Sequence, residues 1–144
     1  MFSQAIKDVM EPKKLLTAPP HTTVSKAARL MARRNVGAVL VVDKRRLVGI
    51  FTERDAVFRV IARGLDSLST RLADVMTAEP ITVAPERSFG YALLIMHENG
   101  FRHLPVLENG KLVGVVSARN ALDPDLEEFV SESQRREHIL RERN

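Results

Sequence analysis

The chain has 144 residues, 44% of them apolar, with a net charge of +4 and a sequence pI of about 9.8. That length suits one compact domain or two very small ones, and the apolar fraction argues against a disordered chain. The absence of cysteine excludes a disulfide framework and thiolate metal sites, and fits a reducing compartment. The segment from Met1 to Asp8 lacks the long apolar run of a signal peptide, and no stretch approaches the roughly 20 apolar residues that span a bilayer. A soluble, cytoplasmic protein without a membrane partner is expected. The basic balance favours anionic partners, but the densest runs, Lys44-Arg45-Arg46 and Arg135-Arg136, are short and read as solvated surface.

In chain order, a short strand is expected around Leu16 to Ala18, followed by a helix in which Val24, Ala27, Ala28 and Met31 recur at helical spacing. Ala38 to Val42 reads as a strand, Asp43 to Arg46 as a turn, and Leu47 to Phe51 as a second strand leading directly into a helix. Thr52 stands where an N-cap belongs, and Gly64 is placed to stop that helix. The same string then returns. Ile81 to Val83 reads as a short strand, Phe89, Leu93 and Met96 as one face of a helix, and Leu104 to Leu107 as a strand. Glu108-Asn109-Gly110 carries the Asn-Gly pair that favours a hairpin, Leu112 to Val116 forms its second strand, and Ser117 stands at the next N-cap. Beyond Asp123-Pro124, Leu126, Phe129 and Val130 begin an amphipathic pattern that turns polar after Ser131. A helix docked at its start, then solvated or meeting a partner, is expected there.

These elements repeat at a spacing of about 65 residues. Asp8-Val9-Met10 recurs as Asp74-Val75-Met76, Thr17 through Pro20 as Thr82 through Pro85, and Met31 as Met96. The longest match sets Leu47-Val48-Gly49-Ile50-Phe51-Thr52-Glu53-Arg54-Asp55 against Leu112-Val113-Gly114-Val115-Val116-Ser117-Ala118-Arg119-Asn120. The chain therefore divides into a unit at 1–66, a second at 67–122 and a helical tail at 123–144. A unit of about 60 residues buries too little surface to be comfortable alone. The expected fold is α/β (α+β): two β-α-β-β-α units packed sheet to sheet about a pseudo-twofold axis.

Thr52 and Asp55 have the spacing of a capping box, which satisfies helix N–H groups and needs no ligand. The same place, at a helix start, favours an anion, and a carboxylate there can accept hydrogen bonds from both hydroxyls of a ribose. The two roles are compatible. No His-Glu-x-x-His motif, Gly-x-Ser-x-Gly elbow or phosphate-binding loop is present, and His21, His97, His103 and His138 are isolated in sequence. An enzyme is therefore not expected. Nucleic-acid binding, suggested by the pI, would need aromatic platforms or a reading helix, yet the six Phe and one Tyr fall mostly in apolar patterns.

The motifs resemble the CBS family, named for cystathionine β-synthase, over about residues 6 to 122. The closing string of that family is Gly, two apolar residues, Ser or Thr, two variable residues and Asp. Gly49 to Asp55 matches it fully, and Gly114 to Asn120 departs only at the last position. Asp8-Val9-Met10 and Asp74-Val75-Met76 resemble the family's opening, and Phe101-Arg102-His103-Leu104-Pro105-Val106 its central strand. The resemblance implies a free-standing Bateman module, homodimeric, with up to two clefts for AMP, ADP, ATP, NAD or S-adenosylmethionine. It implies a regulatory ligand and no required cofactor or metal, with signalling to an unknown downstream protein.

Carried onto this chain, the resemblance implies a first pocket with Thr52 donating to a phosphate, Asp55 on the ribose, Ile81, Thr82 and Val83 at the adenine, and Arg102 or His103 at the phosphate. Strand alternation lets only one of Arg102 and His103 point inward. A second, weaker pocket would combine Leu16, Thr17, Ala18, Val36, Gly37, Ser117 and Asn120. There Asn120 replaces a carboxylate, and Gly37 stands where the first pocket has Arg102. Arg54 and Arg119 lie within reach of phosphates or on the helix surface. A scaffold with degenerate clefts, acting through protein contacts alone, is the competing reading.

Overall fold

The computed structural model describes residues 2–11, 14–121 and 132–137. A short helix α1 (Ile6–Val9) precedes strand β1 (Thr17–Ala18) and helix α2 (Val24–Arg34). The hairpin β2 (Ala38–Asp43) and β3 (Arg46–Thr52) follows, then α3 (Glu53–Asp55). Helix α4 (Leu72–Val75) and strand β4 (Thr77–Ala78) link the halves, and α5 (Phe89–Asn99), β5 (His103–Glu108) and β6 (Lys111–Ser117) repeat the pattern. In the first sheet β1 lies parallel to β2, and β2, β3 and β4 are antiparallel neighbours. In the second, β5 and β6 pair antiparallel and Val83 bridges Val106 in parallel, as β1 does to β2.

Local chemistry accounts for the boundaries. Thr23 and Ser88 cap α2 and α5 by accepting from the N–H groups of Lys26 and Tyr91, and Asn35 and Gly100 end the same helices in the left-handed conformation. Both hairpins turn on two residues with positive φ: Lys44 and Arg45 in the first, Asn109 and Gly110 in the second. Only the second turn has the residues that adopt this backbone readily. Both hairpins also shift register at equivalent places, between Val41 and Val42 and between Val106 and Leu107.

Alternation along the hairpins feeds three cores. Val39, Val41 and Phe51 turn towards α2, with Val24, Ala27 and Met31. Leu104, Val106 and Val116 turn towards α5, with Phe89, Ala92 and Met96. The opposite faces, carrying Ala38, Leu40, Ile50 and Val115, meet in the seam between the sheets. Both faces of the strands are therefore covered, which is why these strands read as continuous apolar runs. Ala28, expected on the buried face of α2, is exposed, and Leu30 packs at the edge of that core instead.

The opening segments of the repeats are exchanged. Ile6 is buried in the core of the second hairpin, while Leu72 and Val75 are buried in the core of the first. The main chain follows suit: Ile6 N donates to Arg87 O at 2.8 Å, and Leu72 N donates to Thr22 O at 2.9 Å. Met10 covers Gly114, where a Cβ would come 2.6 Å from its sulfur, and Met76 covers Gly49 in the same manner. The recurrence of Asp-Val-Met and of glycine in the closing strings thus has one cause: each methionine needs a bare backbone in the opposite repeat.

The helix expected after Thr52 begins as α3 and continues as a π-helical stretch, Ala56–Ile61; Gly64, in the left-handed conformation, closes the turn that follows. Its wider turn brings Asp55, Phe58 and Arg59 to one cleft while Val60 stays in the core. After Ser117 the chain forms a 3-10 turn, Ala118–Ala121, and residues 132–137 are helical. The tail positions Leu126, Phe129 and Val130 lie outside the described residues.

Ile6→Ala and Leu72→Ala are each expected to lower the stability of the whole pair by about 2–5 kcal/mol, as for other large-to-small core changes. Urea denaturation checks this. If either variant unfolded like the parent, the exchanged packing would not contribute to stability.

Candidate functional site

Two adjoining clefts open at the ends of the hairpins opposite their turns. The larger has a volume of about 610 Å³, within the range of small-molecule sites. The end of β3 and the start of α3 supply Thr52 to Asp55, and the π-helical stretch supplies Phe58 and Arg59. The linking segment supplies Thr77 and Glu79 to Ile81, and the loop into β5 supplies Gly100 to His103.

Asp55 is the organising group. It is only 9% exposed, and its Oδ2 accepts from Thr52 N at 2.9 Å and from Thr52 Oγ1 at 3.1 Å. Asp55 N donates back to Thr52 Oγ1 at 3.3 Å, closing the capping box. Its other oxygen faces Arg59 Nε at 3.5 Å, and the Arg59 guanidinium donates to the carbonyls of Val75 and Met76. The Thr52 hydroxyl, expected to donate to a phosphate, thus donates to Asp55. The cap holds the carboxylate rather than leaving the hydroxyl for a ligand.

Of the residues expected in the first pocket, the structure brings together Thr52, Asp55, Ile81, Arg102 and His103. Thr82 and Val83 do not line it. Val83 turns into the second core, and its N–H and carbonyl are taken by Pro105 and Leu107. The place expected for them is occupied by Glu79 and Pro80. Both Arg102 and His103 line the cleft, against the expectation of one. Arg102 lies in the bend before β5, which begins at His103, so strand alternation does not govern it. Arg54 stacks over the Phe58 ring at 4.5 Å from its centre, at the cleft wall.

The smaller cleft has a volume of about 160 Å³. Val36, Gly37, Ser117 and Asn120 line it as expected, but Leu16, Thr17 and Ala18 do not. Leu16 and Ala18 are buried in the first core, and Thr17 is exposed elsewhere. Lys14, Glu11, Asn35 and Arg119 stand there instead. Asn120 repeats the role of Asp55 as a cap: its Oδ1 accepts from Ser117 N at 2.7 Å.

Glu53, Arg102 and His103 line both clefts. They meet over Gly37, where a Cβ would lie 3.2 Å from His103 Nε2 and collide with the Glu53 carboxylate. Burial holds the His103 pKa below its ordinary value of 6.5; the Glu53 carboxylate opposes this, and Arg119 and Arg102 reinforce it. His103 is therefore neutral near pH 7. Sequence spacing had no means of finding Lys14, Arg59, Glu79 or Pro80, because each reaches its cleft only through the chain's path.

The site is a pair of unequal clefts at the seam of a duplicated α/β unit, the architecture of a paired regulatory-type module. The CBS domain model matches residues 6–62 and 72–125, and the chain belongs to the CBS domain family. It is 36% identical over 144 aligned positions to the CBS domain-containing protein CBSX3, mitochondrial, of Arabidopsis thaliana, covering 92% of this chain and 70% of that one. It is 43% identical over 110 positions to CBSCBSPB3 of the same plant, covering 76% of this chain but only 20% of that longer protein. Among solved structures, a conserved protein from Pyrococcus horikoshii superposes with a TM-score of 0.80 at 33% identity, over 87% of this chain and 94% of its own. A CBS domain protein from Pyrobaculum aerophilum complexed with AMP superposes with a TM-score of 0.73 at 26% identity, over 81% and 89%. Among the described residues no helix is long and apolar enough to cross a membrane, and no cluster of His, Asp and Glu is placed to hold a metal ion.

A His whose folded pKa is depressed binds its proton more weakly in the folded protein than in the unfolded chain. Folding therefore loses stability as the pH falls below about 6.5, because the unfolded chain takes up that proton first. Denaturation at pH 7.5 and pH 5 is expected to show a drop on acidification that is smaller in His103→Gln. An equal drop in both proteins would assign the pH dependence to other groups.

Proposed function

We propose that this chain is a regulatory, non-catalytic sensor acting in the cytoplasm, whose larger cleft holds an adenosyl ligand. AMP, ADP and ATP are the first candidates, with NAD and S-adenosylmethionine in the same chemical class. The observation that carries the reading is Asp55, a nearly buried carboxylate held rigidly by its cap at the wall of a 610 Å³ cleft. A diol-bearing sugar satisfies such an acceptor with charge-assisted hydrogen bonds. Ile81, 45% exposed, and Phe58, 57% exposed, present apolar surface that a purine would cover. Arg102 lines the same cleft and suits a phosphate. The AMP complex of the Pyrobaculum relative supports the ligand class.

Outside the cleft, Val57, Ile61 and Leu68 are exposed apolar residues on or just after the π-helical stretch. This surface suits a homodimer, with a downstream protein reading its state. Ile61→Glu is expected to shift sedimentation towards the monomer; an unchanged profile would place the interface elsewhere.

The binding test is thermal unfolding with AMP, ADP, ATP, NAD and S-adenosylmethionine, on the parent and on Asp55→Asn. Asparagine keeps the cap, as Asn120 does for Ser117, so the variant is expected to fold and to lose the charged acceptor. A ligand at about 100 times its Kd stabilises the native state by roughly 2.7 kcal/mol. Stabilisation of the parent that is much reduced in Asp55→Asn is the expected result. No stabilisation by any of the five at millimolar concentration would sink the reading and leave a scaffold with empty clefts.

A further inference from the structure

We propose that the smaller cleft is not a second nucleoside site but the anion-binding extension of the larger one, receiving the distal phosphates of a nucleoside di- or triphosphate whose adenosine occupies the larger cleft. The inference rests on the adenosyl reading of the larger cleft.

Four observations carry it. At about 160 Å³ the smaller cleft falls below the roughly 300 Å³ at which small-molecule sites begin. It also lacks the parts of a nucleoside site. Asn120 is neutral and its Oδ1 is engaged by Ser117 N, so the position equivalent to Asp55 offers no carboxylate. Leu16 and Ala18, expected to form a base slot, are in the core, which leaves Val36, Ala38 and Val115 as the apolar lining.

What the cleft does have is cations. Lys14 and Arg119 line it alone, and Arg102 lines it together with the larger cleft. Glu11 and Glu53 face the same space and are outnumbered by these three. Finally, the two clefts adjoin: Glu53, Arg102 and His103 belong to both walls and meet over the bare backbone of Gly37. Arg102, on both walls, is the cation from which a phosphate chain would reach towards Lys14 and Arg119.

The geometry predicts one ligand per chain and a preference for longer phosphate tails. Isothermal titration of AMP, ADP and ATP, at one magnesium concentration, reads both quantities on the parent and on Lys14→Ala/Arg119→Ala. Both side chains are exposed, so the double variant is expected to fold, and its unliganded thermal unfolding checks that. In the parent, one ATP per chain should bind about tenfold or more tighter than AMP, and the double variant should lose about tenfold for ATP and under about twofold for AMP. Two nucleotides per chain, equal affinities for AMP and ATP, or equal losses in the variant would overturn the extension while leaving the adenosyl reading intact. If no nucleotide binds the parent, both fall together.

Discussion

The seam between the two sheets is the constraint on which the rest depends. Each hairpin has two apolar faces and only one helix of its own to cover one of them. The second face, with Leu40 and Ile50 on one side and Val115 on the other, has to be covered by the other repeat or be left in water. Leu40 is fully buried by that contact, and burying a side chain of its size contributes roughly 1.5–3 kcal/mol. The exchange of opening segments reinforces the seam. With Ile6 in the second core and Leu72 in the first, neither repeat has a complete core when separated from its partner. The clefts form where the seam ends, beyond the last strand residues that can interdigitate.

Duplication supplies the symmetry, and a handful of substitutions breaks it. Asp55 faces Asn120 across the pseudo-twofold axis, Glu53 faces Ala118, and Arg102 faces Gly37. Their backbone setting is conserved even where chemistry is not: Glu53 N donates to Gly37 O at 3.0 Å, and Ala118 N donates to Arg102 O at the same distance. Each substitution moves in one direction. The larger cleft has Asp55 where the smaller has Asn120, and Lys14 and Arg119 stand only in the smaller. Gly37, the smallest residue of the set, leaves the room in which Glu53 and His103 meet.

The repeat, the caps and the hairpins were legible in the sequence because each is written in residues close along the chain. Thr52 caps the helix start through Asp55 three residues away, and Asn109-Gly110 turns a hairpin by its own backbone preference. The cleft around Asp55 was partly legible through the closing string. The residues missed are those whose position depends on tertiary path. Glu79 and Pro80 reach the larger cleft because β4 pairs with β3, a contact between repeats that no periodicity reports. Leu16 and Ala18 were expected at a ligand and lie in the core, since a short strand of two residues gives no pattern from which its buried face can be read. The π-helical turn was likewise invisible, because Ala56–Ile61 has ordinary helical composition and widens only in its tertiary setting.

On the proposed reading, the link between ligand and signal runs through Arg59. Its guanidinium holds Asp55 at one end and the carbonyls of Val75 and Met76 at the other, and Met76 covers Gly49 in the first hairpin. A sugar that takes hydrogen bonds at Asp55 shares that carboxylate with Arg59, so binding changes the electrostatic hold on the segment that ties the repeats together. That same segment runs through Thr77 and Glu79 to Ile81, which would lie against the base. A ligand therefore touches the linking segment at both ends, through a charge at Asp55 and through apolar contact at Ile81. Differential interaction of that kind is what a ligand needs in order to shift a conformational equilibrium. The exposed apolar residues Val57 and Ile61 stand on the same π-helical stretch as Arg59, one turn or less away. On the same reading, a change at Arg59 is felt first on the exposed apolar surface proposed for a partner.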